Sequence, residues 1–393
     1  MEGGKKLAEG GYGCVFHPEI NCKGKQTTNT KYVSKIQKED FSSENEINIG
    51  KTLLEKYKDH PMKPLDNNFA PVVSSCPINI RKIAAPDINN CNVINKVIGT
   101  VDNFILMKIR FIDMQDLDSF VVNNVDANLI LLTLLSTYNH LLKSLELLIQ
   151  ANIIHFDLKG PNIVFDTKDT QPIIIDFGLS IPMYKNINYP NFFYIYAPEY
   201  YVWPPEVHYI NLLLHYHDEP SEADIQELAK RYVNNNVALN PFSSHFKKNF
   251  ITLVVKTLNK YNKVPFKERI KTIITHSWNT WDNYALSIIY LKFIYFITHT
   301  QNNKFISNGF IKYMVKLQLK NIHPDCMKRL SVNETQKRFN AFLYNEKEDT
   351  IQSLKELSVE ISRNKKSVDK KLKRDIKQTA TLSKKLIESK GLR

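Results

Sequence analysis

Inside the apolar run IIHFDLKGPNIVF, residues 153–165, three polar side chains stand at fixed spacing: Asp157, Lys159 and Asn162. A further acid, Asp176, follows at the end of the apolar stretch IIIDFG. An Asp can accept a hydrogen bond from a substrate hydroxyl and aim it for in-line attack, and a Lys two residues on can offset charge on a moving phosphoryl group. Amide and carboxylate oxygens, here those of Asn162 and Asp176, are the hard donors that magnesium takes. This is the pattern of phosphoryl transfer. His155 lies between apolar neighbours and reads as a buried histidine bracing the loop, not as a catalytic group.

Two upstream features would complete such chemistry. In LAEGGYGCVF, residues 7–16, a glycine-rich hairpin would let backbone N–H groups approach phosphate oxygens with no Cβ in the way. Ala8, Gly10, Gly11 and Gly13 would form that turn, and Val15 would pack on a nucleotide base; a plain hairpin is the alternative. About twenty residues on, Lys35 in YVSKI could reach two phosphates if a carboxylate held it there. Glu46 on the next helix is the candidate partner and Glu44 the runner-up, while a solvated strand lysine is the competing reading of Lys35.

The rest of the chain must position these groups. Its 393 residues hold one large domain or two ordinary ones, and 43% hydrophobic against 24% charged residues is an ordinary globular balance. Net charge is +13, of which +8 lies in residues 351–393. Five cysteines with no C-x-x-C pair read as reduced thiols, neither a disulfide framework nor a zinc site. No leader segment is expected, and ALSIIYLKFIYFI at 285–297 is too short to span a bilayer, hence a buried helix.

Residues 1–112 alternate as strands, with a capped amphipathic helix opening at Ser43 and a hairpin over 96–112 turning near Asp102-Asn103. From 113 onward the period becomes helical, and 128–150 is apolar nearly all round. The last stretch reads as one or two surface helices or a partly disordered arm. A small β-rich half followed by a large α-rich half predicts an α+β fold with a cleft between the two.

HFDLKGPN and DFG together resemble the catalytic and magnesium-binding motifs of the eukaryotic-type protein kinases. DNYALSIIYL at 282–291 and NIHPDCMKRLS resemble two further stretches of that family, in the second of which Arg329 stands for the arginine that pairs with the Glu closing the activation segment. GGYGCVFHP with HFDLKGPNI is most similar to serine/threonine kinases of large nucleocytoplasmic DNA viruses. The resemblance implies a bilobal kinase-like fold: an N-lobe over 1–112, a C-lobe over 113–345 with a helical insert at 207–281, and a basic tail over 346–393.

It also implies ATP and Mg2+ as cofactors and transfer of the γ-phosphoryl group to Ser/Thr hydroxyls of protein substrates. Asp157, Lys159 and Asn162 would be catalytic, Asn162 and Asp176 would hold metal, and Lys35 with Glu46 would serve the nucleotide. The compartment expected is the cytoplasm, or for a viral chain the host-cell cytoplasm and the virion. Lys159 marks a Ser/Thr acceptor within this family. Glu199 and Glu206 both could close the activation segment, and Glu206 is preferred because Pro204 and Pro205 would break a helix begun at Glu199.

Phe156 stands where the family commonly carries the Arg that grips an activation-segment phosphate. It can only pack, so the resemblance predicts catalysis without that phosphate. His208, His215 and His217 in the insert lack Cys or acidic companions and read as structural. The insert is expected to be a platform for partners or a structural elaboration. The tail, 351–393, offers contacts to nucleic acid or another anionic surface, to an acidic partner, or only a solvated face. The alternatives to an active enzyme are a pseudokinase-like scaffold, which Ala8 favours, and a small-molecule phosphotransferase.

Overall fold

The computed structural model describes residues 5–9, 13–61, 63–83, 88–97, 99, 103–166, 171–183, 188–216, 218–298, 308–345 and 347–390. These form two compact units, one of residues 1–115, 151–155 and 162–184, the other of 116–150, 156–161 and 185–393.

The first unit is built on an antiparallel sheet of five strands: β1 (Lys5–Glu9), β2 (Gly13–His17), β3 (Tyr32–Lys38), β4 (Val72–Ile78) and β5 (Phe104–Arg110), in the order β1-β2-β3-β5-β4. Each strand buries alternate residues on opposite faces. Cys14, Phe16, Ile36, Ile78, Phe104 and Leu106 form one core. Val72, Ile105 and Met107 pack on the other face against Ile47 of helix α1 (Phe41–Tyr57). Each such buried side chain contributes about 1.5–3 kcal/mol. Gly13 is required by crowding, since a Cβ there would sit 2.1 Å from the Ile36 carbonyl oxygen.

Helix α1 begins earlier than the sequence predicts. Asp40 is its cap, accepting the backbone N–H groups of Ser42 and Ser43, while the Ser43 hydroxyl takes the Asp40 N–H from within the first turn. Ser43, expected as the cap, instead stands at the third helical position and completes a capping box with Asp40.

The hairpin expected over 96–112 does not form. Short helices α2 (Pro64–Asn67) and α3 (Asn92–Val97) flank β4, and β5 pairs with β3 and β4. Asp102 lies outside the described residues. The apolar run of β5 is explained by its place between β3 and β4, where residues on both of its faces are buried. Shorter strands follow: β6 (Met114–Asp116), then β7 (Ile153–Ile154), β8 (Ile163–Asp166), β9 (Pro172–Ile174) and β10 (Ile181–Pro182).

Four of the five cysteines are disulfide-bonded, Cys14 to Cys91 and Cys22 to Cys76, which corrects the expectation of reduced thiols. The pairs are 77 and 54 residues apart in sequence, so only the folded sheet brings them together.

The second unit is helical: α4 (Leu117–Asn123), α5 (Ala127–Gln150), α6 (Pro205–His215), α7 (Glu222–Asn235), α8 (Ser244–Tyr261), α9 (Phe266–Ser277), α10 (Trp281–Thr298), α11 (Gly309–Asn321), α12 (Val332–Asn345) and α13 (Lys347–Lys390). Helix α10 is buried almost all round, as its sequence predicts. The tail is one long helix. Its stripe Leu357, Ile361, Val368, Leu372, Asp375 and Thr379 is buried, and α13 packs against α4, α5, α10, α11 and α12. That stripe has the helical period, masked in the sequence by the surrounding lysines. Among the described residues, no helix is long and apolar enough to cross a membrane.

Thiol titration of the denatured but unreduced chain should count a single free thiol, Cys326. A count of five would mean that neither bridge forms.

Candidate active site

In the first unit, the register β2-β3-β5 sets Lys35 opposite both Val15 and Met107. Directly opposed residues share a face, so Lys35 points to the α1 side of the sheet. There its Nζ donates to both carboxylate oxygens of Glu46, at 2.9 and 2.7 Å, and to Asp176 Oδ1 at 3.1 Å. Glu44 is exposed. Burial opposes the charge on Lys35, but the Asp176 and Glu46 carboxylates outweigh it and hold the pKa above the usual lysine value. The lysine is therefore a fixed cation.

Asp176 adopts φ +64°, a conformation that costs an ordinary L-residue about 1 kcal/mol or more. Helix α1 secures the stretch beyond it, Ser42 Oγ donating to the Gly178 carbonyl and Asn45 Nδ2 to that of Ser180. Asn162 enters β8, whose pairing with β9 sets Ile163 against Ile174, and Ile175 N–H donates to the Asn162 carbonyl at 3.0 Å. Asn162 and Asp176 thus sit on neighbouring chain segments of this unit. Both offer hard oxygens, and the Asp176 side chain keeps 39% of its surface exposed, a donor set that suits magnesium. Of the glycine hairpin, Ala8 on β1 pairs with Val15 on β2. Gly10 and Gly11 lie outside the described residues. His155 Nε2 lies 3.0 Å from the Ile175 carbonyl, in the bracing position its flanks suggest.

The loop 156–161 belongs to the second unit. Phe156 has φ +66°, and both its backbone polar groups are held: its N–H donates to Asp282 Oδ1 at 2.9 Å and its carbonyl accepts the Trp203 indole N–H at 2.7 Å. The ring stacks on Trp203 and meets Phe193 and Trp281 at centroid distances of 5.7 Å each. Next to it Asp157 is buried, with Lys159 Nζ 2.7 Å from Oδ2 and the Tyr200 hydroxyl 2.6 Å from Oδ1. The carboxylate is aimed by two donors. Tyr200 was not singled out by the sequence: a Tyr in an aromatic stretch carries no local sign of which acid it will meet.

Glu206 lies in the first turn of α6 and receives both Arg329 Nη atoms, at 2.6 and 2.9 Å, together with the Trp281 indole N–H at 3.1 Å. All three are buried. Burial opposes the Arg329 charge and the Glu206 carboxylate more than offsets it. Glu199 instead pairs with Arg231 of α7, both about one-third exposed. His208 and His215 lie within hydrogen-bond distance of the Tyr200 and Phe193 carbonyls, and His217 lies outside the described residues. Burial pushes His208 down to about 3, so it is neutral.

A second polar cluster in this unit escaped the sequence analysis. Lys292 of α10 donates to Asp375 Oδ2 of α13 at 2.7 Å, and Asp375 Oδ1 accepts the Tyr201 hydroxyl at 2.8 Å. Asp118 of α4 lies close by, and its carboxyl would be only 2.3 Å from a Cβ added to Gly160, so that position tolerates no side chain. Burial pushes the Asp118 carboxyl up to about 6, with Lys292 acting against the shift.

Two outcomes are expected. Glu206→Gln leaves a buried guanidinium without its charge partner and should lower stability by about 3–5 kcal/mol, whereas Glu199→Gln should cost at most about 1 kcal/mol; urea unfolding compares them, and equal effects would deny Glu206 its role. The folded-state pKa of Asp118 lies above its unfolded value of 3.8. The folded state therefore holds this proton more tightly, and stability is lost as pH rises from about 4 to about 6. Asp118→Asn should accordingly be more stable than wild type at pH 7 by about 2–3 kcal/mol, with the gap closing near pH 4; a gap that does not depend on pH would refute this.

No family model matches the chain. A stretch of 51 residues, 13% of the chain, is 41% identical to mitogen-activated protein kinase kinase kinase 8 of Rattus norvegicus and spans 10% of that protein's length. Among solved structures, the chain is similar to the autoinhibited serine kinase domain of the giant muscle protein titin, with 16% identity and a TM-score of 0.42, over 86% of this chain and 78% of that one.

Proposed function

We propose that the chain is an ATP-dependent protein kinase acting on Ser/Thr hydroxyls. The observation that carries this reading is Lys35, a buried cation set between carboxylates of Glu46 on α1 and Asp176 in DFG. A core gains nothing from such a charge for stability alone, but a fixed cation beside a metal-binding carboxylate suits nucleotide phosphates. In this reading Asp157 accepts the proton of the acceptor hydroxyl and orients its oxygen, while Lys159 and Tyr200 keep the carboxylate aimed. Asn162 and Asp176 would hold magnesium, which offsets charge on the phosphates. The glycine hairpin, from Ala8 through Val15, would cover the nucleotide.

Lys159 supports the Ser/Thr acceptor, by resemblance of motif. The nearer likeness to kinases of large nucleocytoplasmic DNA viruses rests on GGYGCVFHP and HFDLKGPNI. The outward lysines of α13, among them Lys366, Lys370 and Lys373, support contact with an anionic surface. The scaffold reading keeps only Ala8 in its favour.

Phe156 sharpens the reading. Its loop is held by Asp282 and Trp203 and packed by aromatic rings, none of which depends on a phosphate. The phosphatase-treated protein should therefore transfer γ-phosphoryl from Mg-ATP to a generic protein substrate. Asp157→Asn and Asp176→Asn should each lose about 10²–10⁴-fold. Phe156→Arg should make transfer depend on an activation-segment phosphate. Nucleotide-dependent thermal stabilisation without any transfer would favour the scaffold; transfer by wild type only before phosphatase treatment would defeat phosphate independence.

A further inference from the structure

A polypeptide that presents a hydroxyl to Asp157 must lay its flanking residues on the second unit beside Lys159, Gly160 and Pro161, which follow Asp157 in the loop. Gly160 there is buried and Lys159 half-buried, while Pro161 stays exposed. Ile376 and Thr379 of α13 share with these three residues and Tyr201 a gap of about 20 Å³. Such a volume holds about one water and no peptide.

The way α13 is held there is unusual for its own stripe. Leu357, Ile361, Val368 and Leu372 are apolar, but the next buried position is Asp375, 3% exposed. Its partner Lys292 is equally out of place, a 6% exposed lysine on α10 beside Ile288, Ile289 and Phe293. Well-packed apolar residues would serve stability as well as this ion pair or better. Asp118 adds a third charge, 1% exposed, whose Oδ1 finds no hydrogen-bond partner among the described residues. The arrangement is thus a built receptor for a carboxylate: a cation, a phenolic donor at Tyr201, and a neighbouring acid that keeps Lys292 charged when the slot empties. It lies next to the catalytic loop, since Tyr200 donates to Asp157 and the adjoining Tyr201 donates to Asp375.

We propose that Lys292 and Tyr201 form a recognition slot for an acidic side chain of the protein substrate, and that Asp375 occupies it from within the chain until substrate displaces α13. The inference rests on the kinase reading above and names its substrate class: Ser/Thr with an Asp or Glu nearby. The apolar residues Leu357, Ile361, Val368 and Leu372 anchor α13 upstream of Asp375, so displacement need reach only the helix from 375 onward.

The test uses the full chain and fluorescein-labelled Ser peptides flanked by Asp, by Ala or by Lys, read by anisotropy for affinity and by γ-phosphoryl transfer for turnover. Asp375→Asn keeps the oxygen that Tyr201 donates to but removes the charge, and Asp118 still faces Lys292. It should bind the acidic peptide about 10-fold tighter than wild type, lowering KM with kcat unchanged. In Asp375→Asn with Lys292→Gln, the preference for Asp over Ala peptides should vanish. Lys365→Ala guards against a folding defect. It removes the bond to the Val122 carbonyl, far along α13 from the slot, and should shift affinity in the same direction.

Unchanged affinity in Asp375→Asn and Lys365→Ala at wild-type thermal midpoints would overturn the proposal, as would an acidic preference that survives Lys292→Gln. Acidic-peptide binding that follows this pattern without any transfer would overturn the kinase reading and leave the slot standing. Transfer without the pattern would do the reverse.

Discussion

The backbone of Phe156 is taken at both ends by side chains from elsewhere in the second unit, its N–H by Asp282 and its carbonyl by the Trp203 indole. A left-handed φ on an aromatic residue survives only where such contacts over-determine it. The consequence falls on the next residue. Asp157 leaves the loop in one direction, into the reach of Lys159 and Tyr200. Helix α10, which supplies Asp282 at its first turn, is buried nearly all round, so the anchor itself is rigid. The stacking of the Phe156 ring on Trp203 joins the loop to the segment that carries Tyr200 and Tyr201. The joint is made by aromatic packing and two hydrogen bonds, with no ion pair in it.

Buried cations recur through both units, each matched to carboxylates: Lys35 to Glu46 and Asp176, Arg329 to Glu206, Lys292 to Asp375. A buried ion pair adds little net stability over apolar packing, but removing one partner costs several kcal/mol. Such pairs therefore enforce particular arrangements more than they strengthen the fold. Glu206 with Arg329 fixes where α6 starts and thus where the preceding segment ends. Lys35 with Glu46 fixes the rotation of α1 on the sheet, which in turn sets the carbonyls of Gly178 and Ser180 against Ser42 and Asn45. Lys292 with Asp375 fixes the path of α13.

Residues 207–281 form helices α7, α8 and α9 along with most of α6, and bury Ile225, Leu228, Tyr232, Val254 and Ile273. They are integrated into the second unit: the Tyr232 hydroxyl reaches the Tyr201 carbonyl, and Arg231 of α7 holds Glu199. This stretch also holds the segment bearing Tyr200 and Tyr201, as does α13 through Asp375.

Several features were legible in the sequence because they are local. The α+β order follows from a switch of hydrophobic period near residue 113, and Asp157, Lys159, Asn162 and Asp176 stand out as polar residues in apolar runs. Glu46 could be preferred to Glu44 because one helix face must look at the sheet. Pro204 and Pro205 pointed to Glu206, since they would break a helix begun at Glu199 yet fit the first turn of one that carries Glu206. What the tertiary structure alone decided is which distant groups meet. No spacing pairs Cys14 with Cys91, or tells that Tyr200 will donate to Asp157 and Asp375 will find Lys292. The expected hairpin at 96–112 failed for the same reason, because strand partners are chosen by the whole sheet and not by neighbours in sequence. Periodicity reports which face of an element is apolar; only packing determines what that face, and any charge within it, comes to touch.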